Sequence, residues 1–476
     1  DDNPNFVIFG LSDEDVVSRL RNFKPDIVAI SALFSSQIEC AYNVAHAIRE
    51  AFPELLIIMG GNHVSYRAKE CLKTQEAIDF LLTGEADLTF LEFVEKYFSG
   101  QDFREVPGLI RREEANEDEI IINPRPSLIH DLDVLPDPAL HLCNMERYFE
   151  IDMFHNPFTK SGRVGTIMTS RGCPFLCTFC ASHKTHGRTM RYHSVDRVRE
   201  DLTTLKEIYG AKTVVFQDDH FMADKDRVYE ILELLGELKL DSLYQNGLTL
   251  YALDKPMLEA FYAAGVRHLV LPVESGSEKV LKEQMRKPLK LHISERVAKD
   301  CRDMGIYTNT NIMIGMPGET KEDIMDARKN LRNIKTNWFN IACASPLVGS
   351  EMYDIAKEND FIENETRGAD YHFAVIETDQ FTPQYIQKMQ YIMNLELNFI
   401  YNNDMLEEEY ETALIGFKNV VRVRSDHAFA HYFSALCYKN LGDDENYQIH
   451  KKEYEISSKA PFWQEHINNF DLNVNV

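Results

Sequence analysis

The sequence has no apolar run of the roughly 20 residues that a membrane-spanning helix requires, which argues against a protein of that kind. Its first residues, Asp1-Asp2-Asn3-Pro4-Asn5-Phe6, lack the basic-then-apolar pattern of a secretory signal. Positive charge is scarce: 51 Lys and Arg stand against 76 Asp and Glu, for a net charge of −25. Nucleic-acid affinity rests on Lys and Arg neutralising phosphates, so this balance disfavours an RNA or DNA partner, and equally an anionic membrane surface. A disulfide framework is missing too. Nine cysteines is an odd number, and six of them (Cys40, Cys71, Cys143, Cys301, Cys343 and Cys437) are scattered. That distribution suits a reducing compartment, and the expected location is the cytoplasm. The length allows roughly two to four domains.

The other three cysteines stand together. Cys173, Cys177 and Cys180, at spacing C-x3-C-x2-C, lie in a stretch running from Thr169 to Met190. Thiolates are the soft ligands of iron–sulfur clusters. A closed zinc site takes four ligands, so three leave one corner of a [4Fe–4S] cluster open. The alternatives are three free thiols, or zinc with His183 or His186 as fourth ligand. The preceding Val164–Thr169 reads as a strand, and Arg171-Gly172 turns the chain out of it. The ligands therefore sit on a loop after a strand, where α/β barrels keep their chemistry.

This spacing, with Ser170-Arg171-Gly172, Pro174 and Phe179, resembles the signature of the radical S-adenosylmethionine (SAM) superfamily. The resemblance implies that the open iron binds SAM and that reductive cleavage releases a 5′-deoxyadenosyl radical. It also implies a flavodoxin or ferredoxin as electron donor.

Residues 1 to about 125 alternate short apolar strands with amphipathic helices, the pattern of a doubly wound parallel sheet. Strands are expected at 26–30, 55–59 and 78–82, and helices near 38–51 and 87–98. Ligands in such sheets bind beyond the carboxyl ends of the strands. Those ends carry Ser31-Ala32-Leu33, Gly60-Gly61-Asn62-His63 and Gly84-Glu85. Ser31-x-Leu33 and Gly60-Gly61 resemble the pattern of a cobalamin-binding domain, which makes Ser31, Leu33, Gly60, Gly61, His63, Gly84 and Glu85 the candidate cobalamin contacts. Asp-x-His-x-x-Gly, that family's element carrying the lower histidine ligand, does not occur, and the chain is read as starting past it. The alternative is a flavodoxin-like domain without a ligand.

Prolines cluster from Pro124 onward (Pro124, Pro126, Pro136, Pro138), and residues 126–160 read as an ordered linker. Asp131-Leu132-Asp133-x-x-Pro136 resembles the linker of the cobalamin-dependent radical SAM subclass. From 161 to 380 strands and helices alternate again. Counting the strand before the cysteines, six strands are expected, and the resemblance implies a partial (β/α)6 barrel of the TIM type. Polar residues at strand ends supply candidate SAM contacts. Gln217, Asp218 and Asp219 stand where the family accepts the SAM amino group, Glu274 and Ser275 suit the ribose, and Gly315 and Gly318 let backbone approach adenine. His183, His186, Arg188, Arg191, Tyr192 and His193 follow the cluster loop as candidates near cluster and substrate, or as a solvated basic loop. Tyr244, Asn246, Tyr251, Asn309 and Asn311 are candidates for the barrel interior.

The last stretch, 381–476, shifts to helix formers and aromatics. Tyr410–Phe417 and Ala428–Gly442 resemble a tetratricopeptide pattern. Fewer than three such repeats do not make a solenoid, so these helices are expected to pack on the barrel, either as a cap over the substrate mouth or as a docking site for a protein partner.

Taken together, the resemblance is to the cobalamin-dependent radical SAM enzymes, the class B methylases. It implies hydrogen abstraction from an unactivated carbon, which then takes a methyl group from methylcobalamin. The substrate class expected is a small molecule, lipid precursor or peptide. Cyclisation, ring contraction or methylation at phosphorus on the same scaffold is the first alternative. A non-catalytic cobalamin-binding sensor or scaffold is the second.

Overall fold

The structure, a computed structural model, describes residues 10–113, 116–150, 163–362 and 371–472. Parts of the expected linker and of the barrel's last third fall outside these.

Among the described residues the first sheet has five strands in sequence order: β1 Ile27–Ser31, β2 Leu56–Gly60, β3 Phe80–Leu82, β4 Leu109–Glu113 and β5 Asn116–Ile122. The first three pair in parallel, as the β-α-β alternation predicts. Alternate residues of β2 serve opposite layers. Ile57 and Met59 pack with the helix Ile38–Ala51, and Ile58 packs with Phe93 of the helix Asp87–Ser99. Such double coverage is what makes parallel strands read as unbroken apolar runs.

The antiparallel hairpin β4–β5 is an addition that the sequence pattern does not announce. Its charged residues hide the strand signal, because they serve a neighbour. The guanidinium of Arg112 donates to the carbonyls of Leu72 (2.6 Å), Gln75 (2.9 Å) and Ile78 (2.7 Å), closing the end of the helix Asn62–Thr74.

The barrel strands are β6 Val164–Ile167, β9 Thr213–Phe216, β10 Asp241–Tyr244, β11 His268–Glu274, β12 Tyr307–Ile314 and β13 Trp338–Cys343. Between β6 and β9 a short antiparallel pair forms, β7 Ser170–Arg171 with β8 Arg191–Tyr192, holding the cysteine loop at its base. The six strands pair in parallel as two groups, β10-β9-β6 and β11-β12-β13. The count of six agrees with the sequence reading, with β6 ending at Ile167 rather than Thr169 and β10 at Tyr244. Gln245-Asn246-Gly247 is a turn after it, with Gly247 at φ +78° tight against Pro272. The mouth at the strands' carboxyl ends carries the cysteine loop.

β13 is an edge, and the C-terminal helices close it. The side-chain amide of Asn398 imitates a neighbouring strand: it accepts from the Phe339 N–H (2.7 Å) and donates to the Phe339 carbonyl (2.8 Å). Asp404 pairs with Arg302 (2.7 Å), and Glu396 with Arg328 and Arg332. Helices Tyr410–Val423, Ala428–Leu441, Asp444–Ser457 and Pro461–Asn469 follow as two hairpins around an aromatic core. They sit beside Trp338, at the amino end of β13. The expected cap over the substrate mouth is therefore corrected: these four helices lie by the opposite end of the strands from the cysteine loop. The anchoring polar groups, Asn337 and Arg302, are at that end.

Gly416 is where this packing is tightest, since a Cβ there would meet the Trp338 ring at 2.5 Å. Alanine is worth about 0.5–1 kcal/mol in a helix relative to glycine. Overpacking costs about 1–3 kcal/mol. Gly416→Ala is thus expected to lower stability by about 1 kcal/mol or more, read as a reduced Tm. An unchanged or raised Tm would show that the interface yields.

Candidate functional site

The three thiols line one cleft at the barrel mouth. Its other walls are Phe175, Phe179, His183, Asp219, His220, Asn246–Tyr251, Pro272, Glu274 and Lys287–Leu289, and it encloses about 860 Å³ with its open mouth included. The loop is braced rather than free. The Asp218 carboxylate, buried, accepts from the Thr169 N–H (3.2 Å), Thr169 Oγ1 (2.7 Å) and Ser170 Oγ (2.6 Å). Asp219 accepts from the Gly172 N–H (3.1 Å) and pairs with His186 Nδ1 (2.8 Å). Gly172, at φ +95°, lies so close to the Thr189 carbonyl that a Cβ would clash.

Burial pushes the Cys173 thiol up to about 11, and the neighbouring Cys180 and Cys177 add to that. Cys177 is raised by burial as well, against the pull of the Lys287 ammonium. Three thiolates gathered here repel one another and call for a cation. Among the described residues no three His, Cys, Asp or Glu side chains converge on a point that a single ion would fill. His186 is engaged by Asp219 rather than turned to the thiols. His183 lines the same cleft, but no fourth thiol does, and three soft donors spread along one wall fit the corners of a polynuclear cluster better than a mononuclear zinc site.

Of the residues expected to contact SAM, Asp219 and Glu274 line this cleft. Glu274 adopts φ +71° and pairs with Lys287 (3.4 Å). Asp218 is turned away into the brace, and Gln217 offers its carbonyl to Asn246 (3.0 Å). Ser275 is buried and accepts from the Ser277 N–H (3.1 Å), starting the next turn. Gly315 (φ +90°) and Gly318 (φ +84°) flank a turn closed by Glu319, which accepts from the N–H groups of Gly315 (2.6 Å) and Met316 (3.0 Å). Of the candidates for the barrel interior, Asn246 and Tyr251 line the cleft, whereas Tyr244 is stacked in the core on Phe216. Lys287, Phe175 and Leu250 are cleft residues that sequence reasoning missed. Lys287 arrives from the loop after a π-type turn, Val280–Gln284, and no local spacing announces it.

Glu319 has no solvent contact, its Oε1 has no partner, and burial pushes its pKa up to about 7 from 4.5. Between those values the folded state keeps a proton that the unfolded chain has lost. Stability therefore falls as pH rises from about 4.5 to 7 and is level above. Glu319→Gln keeps an acceptor for both N–H groups and removes the charge. Its stability relative to wild type is expected to improve between pH 5 and pH 8 by on the order of 1–3 kcal/mol in urea titrations. A pH-independent difference would contradict this.

At the carboxyl ends of β1 and β2, Ser31, Gly60 and Gly61 line a second groove, with Ala29, Met59, Leu82 and Phe90. Gly61 is required by the chain itself: at φ +102° its missing Cβ makes room for the Ala32 backbone, 2.5 Å away. Leu33 is half-exposed beyond the groove. His63 Nδ1 bonds Ser35 Oγ (2.8 Å), and burial lowers its pKa. The Gly84 N–H donates to Ser65 Oγ (3.0 Å). Glu85 is buried and gripped by Arg191 (2.6 and 2.7 Å), so it ties the first sheet to β8 of the cysteine loop. The helix Asn62–Thr74 touches that loop directly, where Tyr66 donates to the Ala181 carbonyl (3.1 Å).

Residues 167–331 match the radical SAM superfamily and residues 6–94 the B12 binding domain. The chain is 32% identical, over 77% of its length and 73% of the relative's, to the cytidylyl-2-hydroxyethylphosphonate methyltransferase of Streptomyces wedmorensis. The chain belongs to the cobalamin-dependent radical SAM methyltransferase family. An uncharacterized methyltransferase of Pyrococcus horikoshii is 30% identical, over 75% of both chains. In fold it resembles the cobalamin-dependent SAM radical enzyme OxsB with aqua-cobalamin and SAM bound, with TM-score 0.65, 15% identity, 97% of this chain and 78% of that one covered.

Membership brings three cofactors: a [4Fe–4S] cluster, SAM and cobalamin. The donor set suits the first. For the last, the groove at Ser31, Gly60 and Gly61 sits at the strand ends where open α/β sheets take ligands. No helix among the described residues is long and apolar enough to cross a membrane.

Proposed function

We propose that this methyltransferase places a methyl group on an unactivated carbon of a small molecule bound in the cysteine cleft. When bound, the cluster and SAM supply hydrogen abstraction, and cobalamin supplies the methyl group. The observation that carries the reading is a shared wall: Cys173, Cys177 and Cys180 open into the same cleft as Phe175, Leu248, Leu250, Tyr251 and Leu289. Apolar side chains there exclude water, which a reactive carbon centre requires. Besides Asp219, the polar groups there to orient a ligand are Ser182, His183, His220, Asn246, Thr249 and the Lys287–Glu274 pair. Burial lowers His220 to about 4, so its ring is neutral at pH 7 and serves as a hydrogen-bonding group. SAM is proposed to meet Asp219 and Glu274, and cobalamin the groove of Ser31, Gly60 and Gly61.

The test pairs reconstituted enzyme, reductant and methyl-deuterated SAM with metabolite extracts of cells lacking the gene. A product carrying the labelled methyl group on carbon, formed with 5′-deoxyadenosine, is expected. Label coupled to phosphorus, or an unlabelled rearranged product, would replace this reading by the corresponding chemistry. Absence of 5′-deoxyadenosine would favour a sensor.

A further inference from the structure

A basic cleft lies on the other side of the cysteine loop from the substrate cleft. It consists of two adjoining hollows that share Ser65, Tyr66, Arg67 and Arg125: one adds Lys69 and Glu70, the other Lys184, Val348, Gly349, Tyr353 and Asp354. Four cations, Arg67, Lys69, Arg125 and Lys184, face two carboxylates there, Glu70 and Asp354, on a chain whose net charge is −25. Arg67 is paired with Glu70 (2.6 Å) and also meets the Tyr353 hydroxyl. Arg125 donates only to carbonyls, of Lys184 (2.9 Å) and Ser65, so no carboxylate offsets its charge in these bonds. Lys69 and Lys184 are exposed. The floor is Tyr66, whose hydroxyl bonds the carbonyl of Ala181, the residue after Cys180, and Thr185 Oγ1 (2.7 Å). Residues 181–186 separate this cleft from the other, where Ser182 and His183 face the thiols.

We propose that this basic cleft is the docking site of an acidic one-electron carrier protein, and that the cluster receives its electron from this side. The proposal rests on the reading of the three thiols as holders of a reducible cluster. One electron leaves the carrier and one arrives at the cluster, with no bond made or broken. The arrangement leaves the substrate cleft free while the electron enters. The net charge of −25 disfavours an acidic carrier on the surface at large, so the cations gathered here favour landing on this side.

The experiment follows bleaching of the cluster's visible absorption in stopped flow, with an acidic flavodoxin in its reduced form and, separately, with dithionite. Lys69→Glu/Lys184→Glu is expected to slow reduction by flavodoxin at least ten-fold at low salt and to leave the dithionite rate unchanged. The gap should narrow at high salt, where screening shortens to about 3 Å at 1 M. Lys329→Glu/Lys452→Glu makes the same charge change outside the cleft. Equal slowing by both double variants, or none by the first, would overturn the proposal. Cross-linking of flavodoxin to peptides holding Lys69 or Lys184 would support it, and cross-links confined to other lysines would refute it. Failure of dithionite to bleach the wild type would instead remove the cluster reading beneath it.

Discussion

Cys177→Ala is expected to leave a folded protein that makes no 5′-deoxyadenosine. The side chain sits on a loop whose shape is set elsewhere: by Asp218 on Thr169 and Ser170, by Asp219 on Gly172, and by the β7–β8 pairing. None of these bonds involves the Cys177 thiol. Removing it therefore costs the fold little, but takes away one of three thiol donors, and no fourth thiol lines the cleft. A cluster held by two thiolates is lost or degraded. SAM cleavage should fall by on the order of 10³ or more. Iron content and visible absorption should fall with it, while circular dichroism and Tm stay near wild type. Retained iron with full SAM cleavage would mean that the donor set has been misassigned. The same outcome is expected at Cys173 and Cys180.

The second large effect lies between the cobalamin-binding and radical SAM portions. Glu85 and Arg191 are each only 2% exposed in their side chains and are joined by two short bonds. Arg191 also donates to the carbonyls of Ile129 and His186 (2.7 Å each), and Glu85 accepts from the Ile129 N–H (3.2 Å). Arg171, next to the cysteine loop, is 3.7 Å from the same carboxylate and is held by Asp87 at 2.9 and 3.2 Å. Truncating one member of such a pair strands a buried charge, at a cost of about 3–5 kcal/mol. Glu85→Ala is expected to destabilise by that amount. Because the pair ties strand ends of one sheet to the loop of the other, unfolding should also split into two transitions. The double variant Glu85→Leu/Arg191→Leu leaves no charge unpaired and should recover a good part of the loss. Urea denaturation monitored by fluorescence and by circular dichroism reads both effects. A loss under 1 kcal/mol, with a single transition, would show that the pair is peripheral to how the two portions hold together.

Much of the architecture could be read from periodicity. Ile27–Ser31, Leu56–Gly60 and Thr213–Phe216 are β-branched or apolar runs closed by turn residues, and in the latter two burial on both faces makes the run conspicuous. The hairpin Leu109–Ile122 escaped because Arg112 looks like a surface residue until the helix end it caps is brought beside it. The C-terminal helices were visible as helices, but their seat was not. It depends on Asn398, Asn403 and Asp404, polar side chains that become strand and cap partners only when β13 presents its edge.

Local spacing alone determined that three soft donors would share one loop after a strand, since ligands three and four residues apart meet without help from distant chain. It determined the alternation of two α/β units for the same reason: side-chain periodicity is a property of consecutive residues. Tertiary structure decided which neighbouring acid faces the cleft, turning Asp219 toward it and Asp218 into the brace. It also brought Lys287 to the thiols, gave Glu85 to Arg191, and set Arg125 between the hollows of Lys69 and Lys184. A charged side chain carries no sign of its partner in its own segment; its role is settled by the field and the space it meets after the chain has closed.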